Sequence, residues 1–169
     1  MTEILIKRLL LVPYTDERVT GEHVAWLKDP EVVRYSEQRH VGHTLNTQKL
    51  YVGWTNLNGK LWLIRHNGED IGSISVRIDK NNKVGNMGIL IGRKDIWGRG
   101  YATEAWQAVM KYCFTELELR KVECGTMNAN IGMRKTAVKS GMAAEGIRLG
   151  HFLLDGETQD MLLYGKLAK

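Results

Sequence analysis

The spacing of apolar residues changes along the chain, and each change marks a structural element. Ile4 to Val12 is an apolar run closed by Pro13 and reads as one strand. Thr20 to Leu27 reads as a short helix, with Val24 and Leu27 on one face and Pro30 soon after it. Thr44 to Trp54 reads as a second, carrying Leu45, Leu50, Val52 and Trp54. Lys60 to Arg65 is then strand-like, and Asn67-Gly68 marks a hairpin because both residues tolerate positive φ. Ile71 to Ile78 returns as a strand, its Ile74, Val76 and Ile78 alternating with Ser75 and Arg77. After the turn Asp79-Lys80-Asn81-Asn82, Val84 to Ile91 completes a three-strand meander.

The period then becomes helical. Ala102, Ala105, Trp106, Val109, Met110, Cys113, Phe114 and Leu117 form one sustained stripe, which places Trp106 and Met110 in the core. Lys121 to Met127 is a further strand. Gly132 to Lys139 is a short helix closed by Ser140-Gly141. Ala144 to Leu153 and Asp160 to Leu167 flank Asp155-Gly156 as a final hairpin. An antiparallel meander followed by a βαβ element predicts an α+β fold, not a doubly wound parallel sheet. With 169 residues and no Ser- or Gly-rich linker, a single domain over residues 1–169 is expected.

Composition removes several function classes. No apolar run approaches the roughly 18 residues of a membrane span, so no membrane role is expected. Met1 to Lys7 lacks a charged leader region and a small-residue cleavage site, which predicts a cytoplasmic protein. Cys113 and Cys124 lack zinc-type spacing, so no metal is expected and both thiols read as buried apolar groups. The net charge of +5 is scattered and not interleaved with aromatics, which argues against a nucleic-acid partner. A mildly basic surface does suit an anionic ligand.

The chemically informative stretch runs from Ile91 through Gly92, Gly98 and Gly100 to Ala105, a strand passing through a glycine loop into the long helix. A helix start leaves about four amide N–H groups unpaired and carries partial positive charge. Glycines beside it let a backbone approach a pyrophosphate closely. The dinucleotide pattern needs glycine or alanine where Thr103 stands, and the ATP-type loop needs a Gly-Lys-Ser/Thr that is absent. Alone, Gly98 and Gly100 suit a plain tight turn equally well.

Trp97-Gly98-Arg99-Gly100-Tyr101-Ala102-Thr103-Glu104-Ala105 resembles the acetyl-CoA loop of the GNAT acetyltransferase superfamily, nearest its RimJ/RimL-type branch. The segment Asn130 to Met142, Asp29-Pro30-Glu31-Val32 and the final hairpin with Asp160 resemble the same branch. The resemblance implies the GNAT fold, a mixed and mainly antiparallel sheet with a splayed strand holding acetyl-CoA. It implies cofactor contacts from the backbone of Ile96, Trp97, Gly98, Arg99, Gly100, Tyr101 and Ala102, with Asn130 near the pantetheine arm. Leu90 and Ile91 would pair with the pantetheine amides, and Leu90 would offer an N–H to the thioester oxygen. A fixed backbone donor suits the oxyanion of acyl transfer, and pairing the arm like a strand aligns the thioester.

The chain departs from the family pattern at chemical positions. The strand position that commonly holds a Glu base is Asn86, the helix position that commonly holds a Tyr acid is Ala137, and Asp95 and Met133 also differ. The proton must then go to water or to a group from the N-terminal helices. Glu37 is a candidate base, and Arg34, Tyr35 and His43 are candidate acceptor-binding residues, with Ser36 and His40 in the same stretch and His151 and Glu157 in the final hairpin. As a helix-connecting loop, that stretch also has a purely structural reading. Glu104 reads as a first-turn residue favoured by the helix dipole.

The expected activity is direct transfer of acetyl from acetyl-CoA to a primary amine on a small molecule or peptide. Val33 to His40 resembles GNAT enzymes that acetylate nucleotide-linked amino sugars, and Arg34 and Arg39 suit a phosphate-bearing acceptor. The missing Glu and Tyr keep a non-catalytic acyl-CoA-binding protein as the alternative. A homodimer through a sheet edge is compatible with this fold.

Overall fold

The apolar run at the start of the chain is two strands, not the single one expected. In the computed structural model, which describes residues 2–169, β1 (Ile4–Leu5) turns back antiparallel onto β2 (Leu10–Pro13). Ile6 N–H donates to Leu9 O at 2.9 Å and closes the turn. The turn is held from outside: Arg8 N–H and Nε donate to the Glu104 carboxylate at 2.8 and 2.7 Å. Lys7 and Arg8 interrupt the apolar run, and Glu104 fixes the turn made there.

The remaining elements follow the expected order. They are α1 (Gly21–Lys28), α2 (Leu45–Asn58), β3 (Gly59–His66), β4 (Glu69–Asp79), β5 (Val84–Ile91), α3 (Tyr101–Thr115), β6 (Lys121–Met127), α4 (Ile131–Lys139), β7 (Ala143–Leu154) and β8 (Glu157–Leu167). Thr20 caps α1, its side chain accepting from His23 N–H, and Thr44 caps α2 by accepting from Thr47 N–H. Each such cap is worth about 1 kcal/mol. Helix α2 runs on past Trp54 to Asn58 and passes directly into β3.

All eight strands form one sheet in the order β1-β2-β3-β4-β5-β6-β8-β7. Every pair is antiparallel except β5–β6. That parallel pair is short. Only Val84, Gly85 and Asn86 face Lys121, Val122 and Glu123, after which the strands part.

The sheet has two unlike faces. Beneath it Trp62, Ile74, Val76, Met87, Val122 and Cys124 pack on the α3 stripe, where Ala105, Trp106, Val109 and Cys113 are fully buried. Truncating a ring such as Trp106 would cost about 3–5 kcal/mol. Above it a smaller cluster of Val12, Tyr14, Val52, Leu61 and Leu63 packs on that face. Among the described residues no helix is long and apolar enough to cross a membrane.

Candidate active site

The parting of β5 from β6 and the start of α3 meet at one place. Ile91 ends β5, and Trp97 Nε1 donates to its carbonyl at 3.0 Å, tying the glycine loop to the strand. Gly98 and Gly100 have φ of 78° and 85°, in the left-handed region that favours glycine. Gly100 is the N-cap of α3 and supplies no side-chain cap. Trp97 N–H, Arg99 N–H and Glu104 N–H close the loop internally. Among the described residues, the amides of Gly98, Gly100, Tyr101, Ala102 and Thr103 have no backbone acceptor, so a row of donors opens at a helix start. This is the arrangement that takes phosphate.

The loop is braced by ion pairs that leave those amides unpaired. Lys94 Nζ lies 2.8 Å from both Asp29 and Glu31, which fixes the Asp29-Pro30-Glu31 segment against it. Arg93 holds Asp95 at 2.7 Å and also pairs with Glu69. Asp95 is therefore turned into an ion pair, and Arg93 holds its carboxyl below the usual range. Arg8 lies with its guanidinium 4.4 Å from the Tyr101 ring centre, while its ties to Glu104 pin the first turn of α3.

The upper face of the sheet carries a cavity of about 180 Å³ lined by Tyr14, His23, Gln48, Ser73, Ser75 and the β5 segment Gly88–Leu90, among others. Leu90 and Ile91 thus stand between this cavity and the glycine loop. A second cavity of about 680 Å³ opens next to it, roofed by the β7–β8 turn, and shares Leu27 with the first. Lys28, Arg34, Arg39 and His43 contribute its cationic and titratable lining, with Asp155 as its carboxylate.

The other expected site residues fall unevenly. Asn86 sits at the fork, where its Nδ2 donates to Glu123 Oε1 at 3.4 Å. Glu37 is ion-paired to Arg39 at 2.9 Å, is 62% exposed and lines neither cavity. Arg34 pairs with Asp155 at 2.6 Å, and Tyr35 lies beside its guanidinium. His43 is buried and bonds Gln38 O at 2.9 Å, while lining the larger cavity. Asn130 caps α4, its Oδ1 accepting from Met133 N–H at 3.1 Å, so that oxygen is committed. Ala137 is wholly buried in the core. His151 and Glu157 are exposed on the final hairpin, the His151 ring edge-to-face with Phe152.

Sequence reasoning missed Tyr14, His23 and Asp70. Tyr14 Oη lies 2.9 Å from His23 Nδ1, and His23 Nε2 lies 3.1 Å from Asp70 Oδ2. Arg65 Nε donates to Asp70 Oδ1 at 2.6 Å. Burial raises the Asp70 carboxyl, but the bonds from His23 and Arg65 outweigh it and hold the group below the usual range. Burial pushes the Tyr14 phenol up to about 12. A β-bulge puts Asp70 there. Ile64 pairs with Gly72 and Arg65 with Asp70, so Ile71 is extra on β4 and sits in the lower core. The extra residue reverses the alternation and turns Asp70 to the upper face. No short sequence pattern announces such a bulge.

An eight-stranded mixed sheet, parted at its one parallel pair beside an anion-accepting helix start, defines the acetyltransferase class. A family model described as acetyltransferase (GNAT) domain matches residues 8–143, and the chain belongs to that family. Over 151 residues it is 26% identical to the uncharacterized N-acetyltransferase p20 of Bacillus licheniformis, covering 83% of each chain. Over 63 residues it is 36% identical to the probable N-acetyltransferase YjcK of Bacillus subtilis, 37% of this chain and about a third (35%) of that protein. Among solved structures, RimL, a ribosomal alpha-N-protein acetyltransferase in complex with coenzyme A, superposes with a TM-score of 0.87 at 18% identity over 98% of both chains. The microcin C7 self-immunity acetyltransferase MccE, in complex with acetyl-CoA and AMP, gives 0.79 at 16% identity over 96% of this chain and 93% of its own.

Proposed function

We propose that this N-acetyltransferase moves acetyl from acetyl-CoA to a primary amine by direct attack, within one domain spanning residues 1–169. The observation that carries the reading is the junction of parted strand and unpaired amides. The amides of Gly98, Gly100, Tyr101 and Ala102 take the pyrophosphate, and the freed edge of β5 at Leu90 and Ile91 takes the pantetheine arm as an added strand. The thioester then reaches the cavity at Gly88–Leu90, where the amine meets it. Coenzyme A bound to RimL, and acetyl-CoA bound to MccE, support the same ligand here. A covalent acetyl-cysteine has no support, since burial pushes both the Cys113 and Cys124 thiols up to about 12.

The larger cavity favours one acceptor class. Three Lys or Arg side chains and His43 against one carboxylate suit an amine that carries phosphate, such as a nucleotide-linked amino sugar. MccE, of similar fold, is in complex with AMP as well as acetyl-CoA, which supports a nucleotide-bearing ligand here. Titrating acetyl-CoA into the protein calorimetrically tests the cofactor half, with micromolar binding expected. Coenzyme A release is then measured with amino-sugar nucleotides, peptides with free N-termini and polyamines. Fastest turnover on the nucleotide-linked amines is expected; a preference for peptide or polyamine refutes the acceptor assignment. Binding without turnover on any amine makes the protein a non-catalytic acyl-CoA binder.

A further inference from the structure

We propose that Tyr14 takes the proton from the attacking amine and passes its own through His23, held by Asp70, so that a side-chain relay replaces the carboxylate that Asn86 lacks. The proposal rests on the acetyl-transfer reading above.

The hydrogen bonds fix the direction of the relay. Thr20 backbone N–H donates to His23 Nδ1 at 3.3 Å, and a backbone N–H can only donate. Nδ1 is therefore the bare nitrogen. The ring proton sits on Nε2 and donates to Asp70 Oδ2 at 3.1 Å. Tyr14 O–H must then donate to Nδ1 at 2.9 Å, while Gln48 Nε2 donates to Tyr14 Oη at 3.4 Å. This is the order of hydroxyl, imidazole and carboxylate that activates a nucleophile in hydrolase triads, with a phenol in the hydroxyl place.

Its surroundings suit proton transfer. Tyr14 and His23 are 1% and 3% exposed, yet both line the cavity that Gly88–Leu90 also lines. The titratable and charged groups around the pair are Asp70 on β4, Arg65 on β3 and Tyr51 on α2. Asp70 stays ionised under His23 and Arg65 and can stabilise an imidazolium. Glu123, the carboxylate nearest the vacant base position, is bonded to Asn86 and does not line this cavity.

The step balances as follows. The amine nitrogen attacks the thioester carbonyl carbon and a C–N bond forms. One proton leaves that nitrogen for Tyr14 Oη while the Tyr14 proton moves to His23 Nδ1. The C–S bond breaks, and coenzyme A leaves as a thiolate that takes a proton from solvent. His23 returns its extra proton through Tyr14 to the emptied cavity, leaving amide, thiol and the starting enzyme.

The test compares benzylamine, a strongly basic probe whose nitrogen needs a base, with phenylhydrazine, a weakly basic one that loses its proton readily after attack. Tyr14→Phe should lower kcat for benzylamine about 100-fold, as expected for loss of a general base. It should leave acetyl-CoA affinity unchanged and lower kcat for phenylhydrazine by less than about fivefold, because that amine depends little on the lost base. Asp70→Asn, at a partly exposed position, should show the same selective pattern more weakly and carries the test if Tyr14→Phe folds poorly. Glu123→Gln should leave both rates unchanged. Equal losses on both probes, undiminished benzylamine turnover in Tyr14→Phe, or a loss confined to Glu123→Gln each overturn the relay while leaving acetyl transfer intact. Wild-type protein that binds acetyl-CoA but acetylates no amine removes the transfer reading and the relay together. Nitrogen-15 NMR of the free protein is an independent check: His23 must carry its proton on Nε2, and a proton on Nδ1 overturns the proposal without any assay of activity.

Discussion

The two sides of the proposed reaction cleft are built from different materials. On the cofactor side, the groups offered are amide N–H bonds and a strand edge, and the side chains nearby are spent in bracing ion pairs. On the acceptor side, the groups offered are side chains, Tyr14, His23 and Asp70 among them, held by one another. Backbone donors are rigid and indifferent to residue identity except where φ is positive. Side-chain donors depend on each member of the chain of bonds. The cofactor side should therefore tolerate most single substitutions and fail at its glycines, while the acceptor side should fail at any linked residue.

The largest effect should come from Gly98→Asp and Gly100→Asp. A left-handed conformation costs a non-glycine residue roughly 1–2 kcal/mol, and the carboxylate adds repulsion of a phosphate, so acetyl-CoA affinity should fall by about 100-fold or more. Arg99→Ala, in the same loop, should change that affinity less than about threefold, since only its backbone closes the loop. Calorimetric titration of the three variants checks both; a large loss in Arg99→Ala would make this a side-chain site and erase the contrast.

Asp70→Asn ranks next, because it strikes the other kind of site. Asp70 has a folded pKa below its unfolded value, so its stabilisation is complete at neutral pH and is lost as pH falls through that depressed folded value. Wild type should melt above Asp70→Asn near pH 7, and the two curves should converge below the ordinary carboxylate range of about 4. Melting temperatures taken across that range decide it; a constant gap would mean the carboxylate makes no charged interaction.

Glu104→Ala should be milder. It frees Arg8 from the first turn of α3, but Arg8 is 40% exposed, so the pair contributes only about 0.5–1 kcal/mol. Denaturant unfolding should show that loss, with acetyl-CoA affinity reduced by about threefold as the loop loosens. The smallest effect belongs to the cysteines. With thiols pushed up to about 12, neither should react with a disulfide reagent in the folded protein at neutral pH, and Cys124→Ala should keep its kcat. Rapid labelling of the native protein would reopen a covalent route.

The same contrast explains what could be read from the residues in order. The glycine loop is local: a strand end, three glycines and a helix start fall within Ile91 to Ala105, so its geometry is written where it occurs. The meander, the long helix and the final hairpin were legible for the same reason. The relay is not local. Tyr14 and His23 are 9 positions apart and His23 and Asp70 are 47, and the face Asp70 occupies depends on a bulge at Ile71. The break between β1 and β2 is not legible in the local pattern because the carboxylate that fixes the turn, Glu104, lies 96 positions from Arg8. Glu37 looked like a base by type and position, and its ion pair with Arg39 became visible only in three dimensions.

The short parallel seam has a mechanical consequence. Strands β1–β5 come from residues 4–91 and strands β6–β8 from residues 121–167, and the sheet ladder joins the two plates through three residue pairs at one corner. A ligand laid in the gap acts as a clasp across them. Pulled along its length, the empty protein should yield first at this corner, and a bound thioester should raise the force needed to open it.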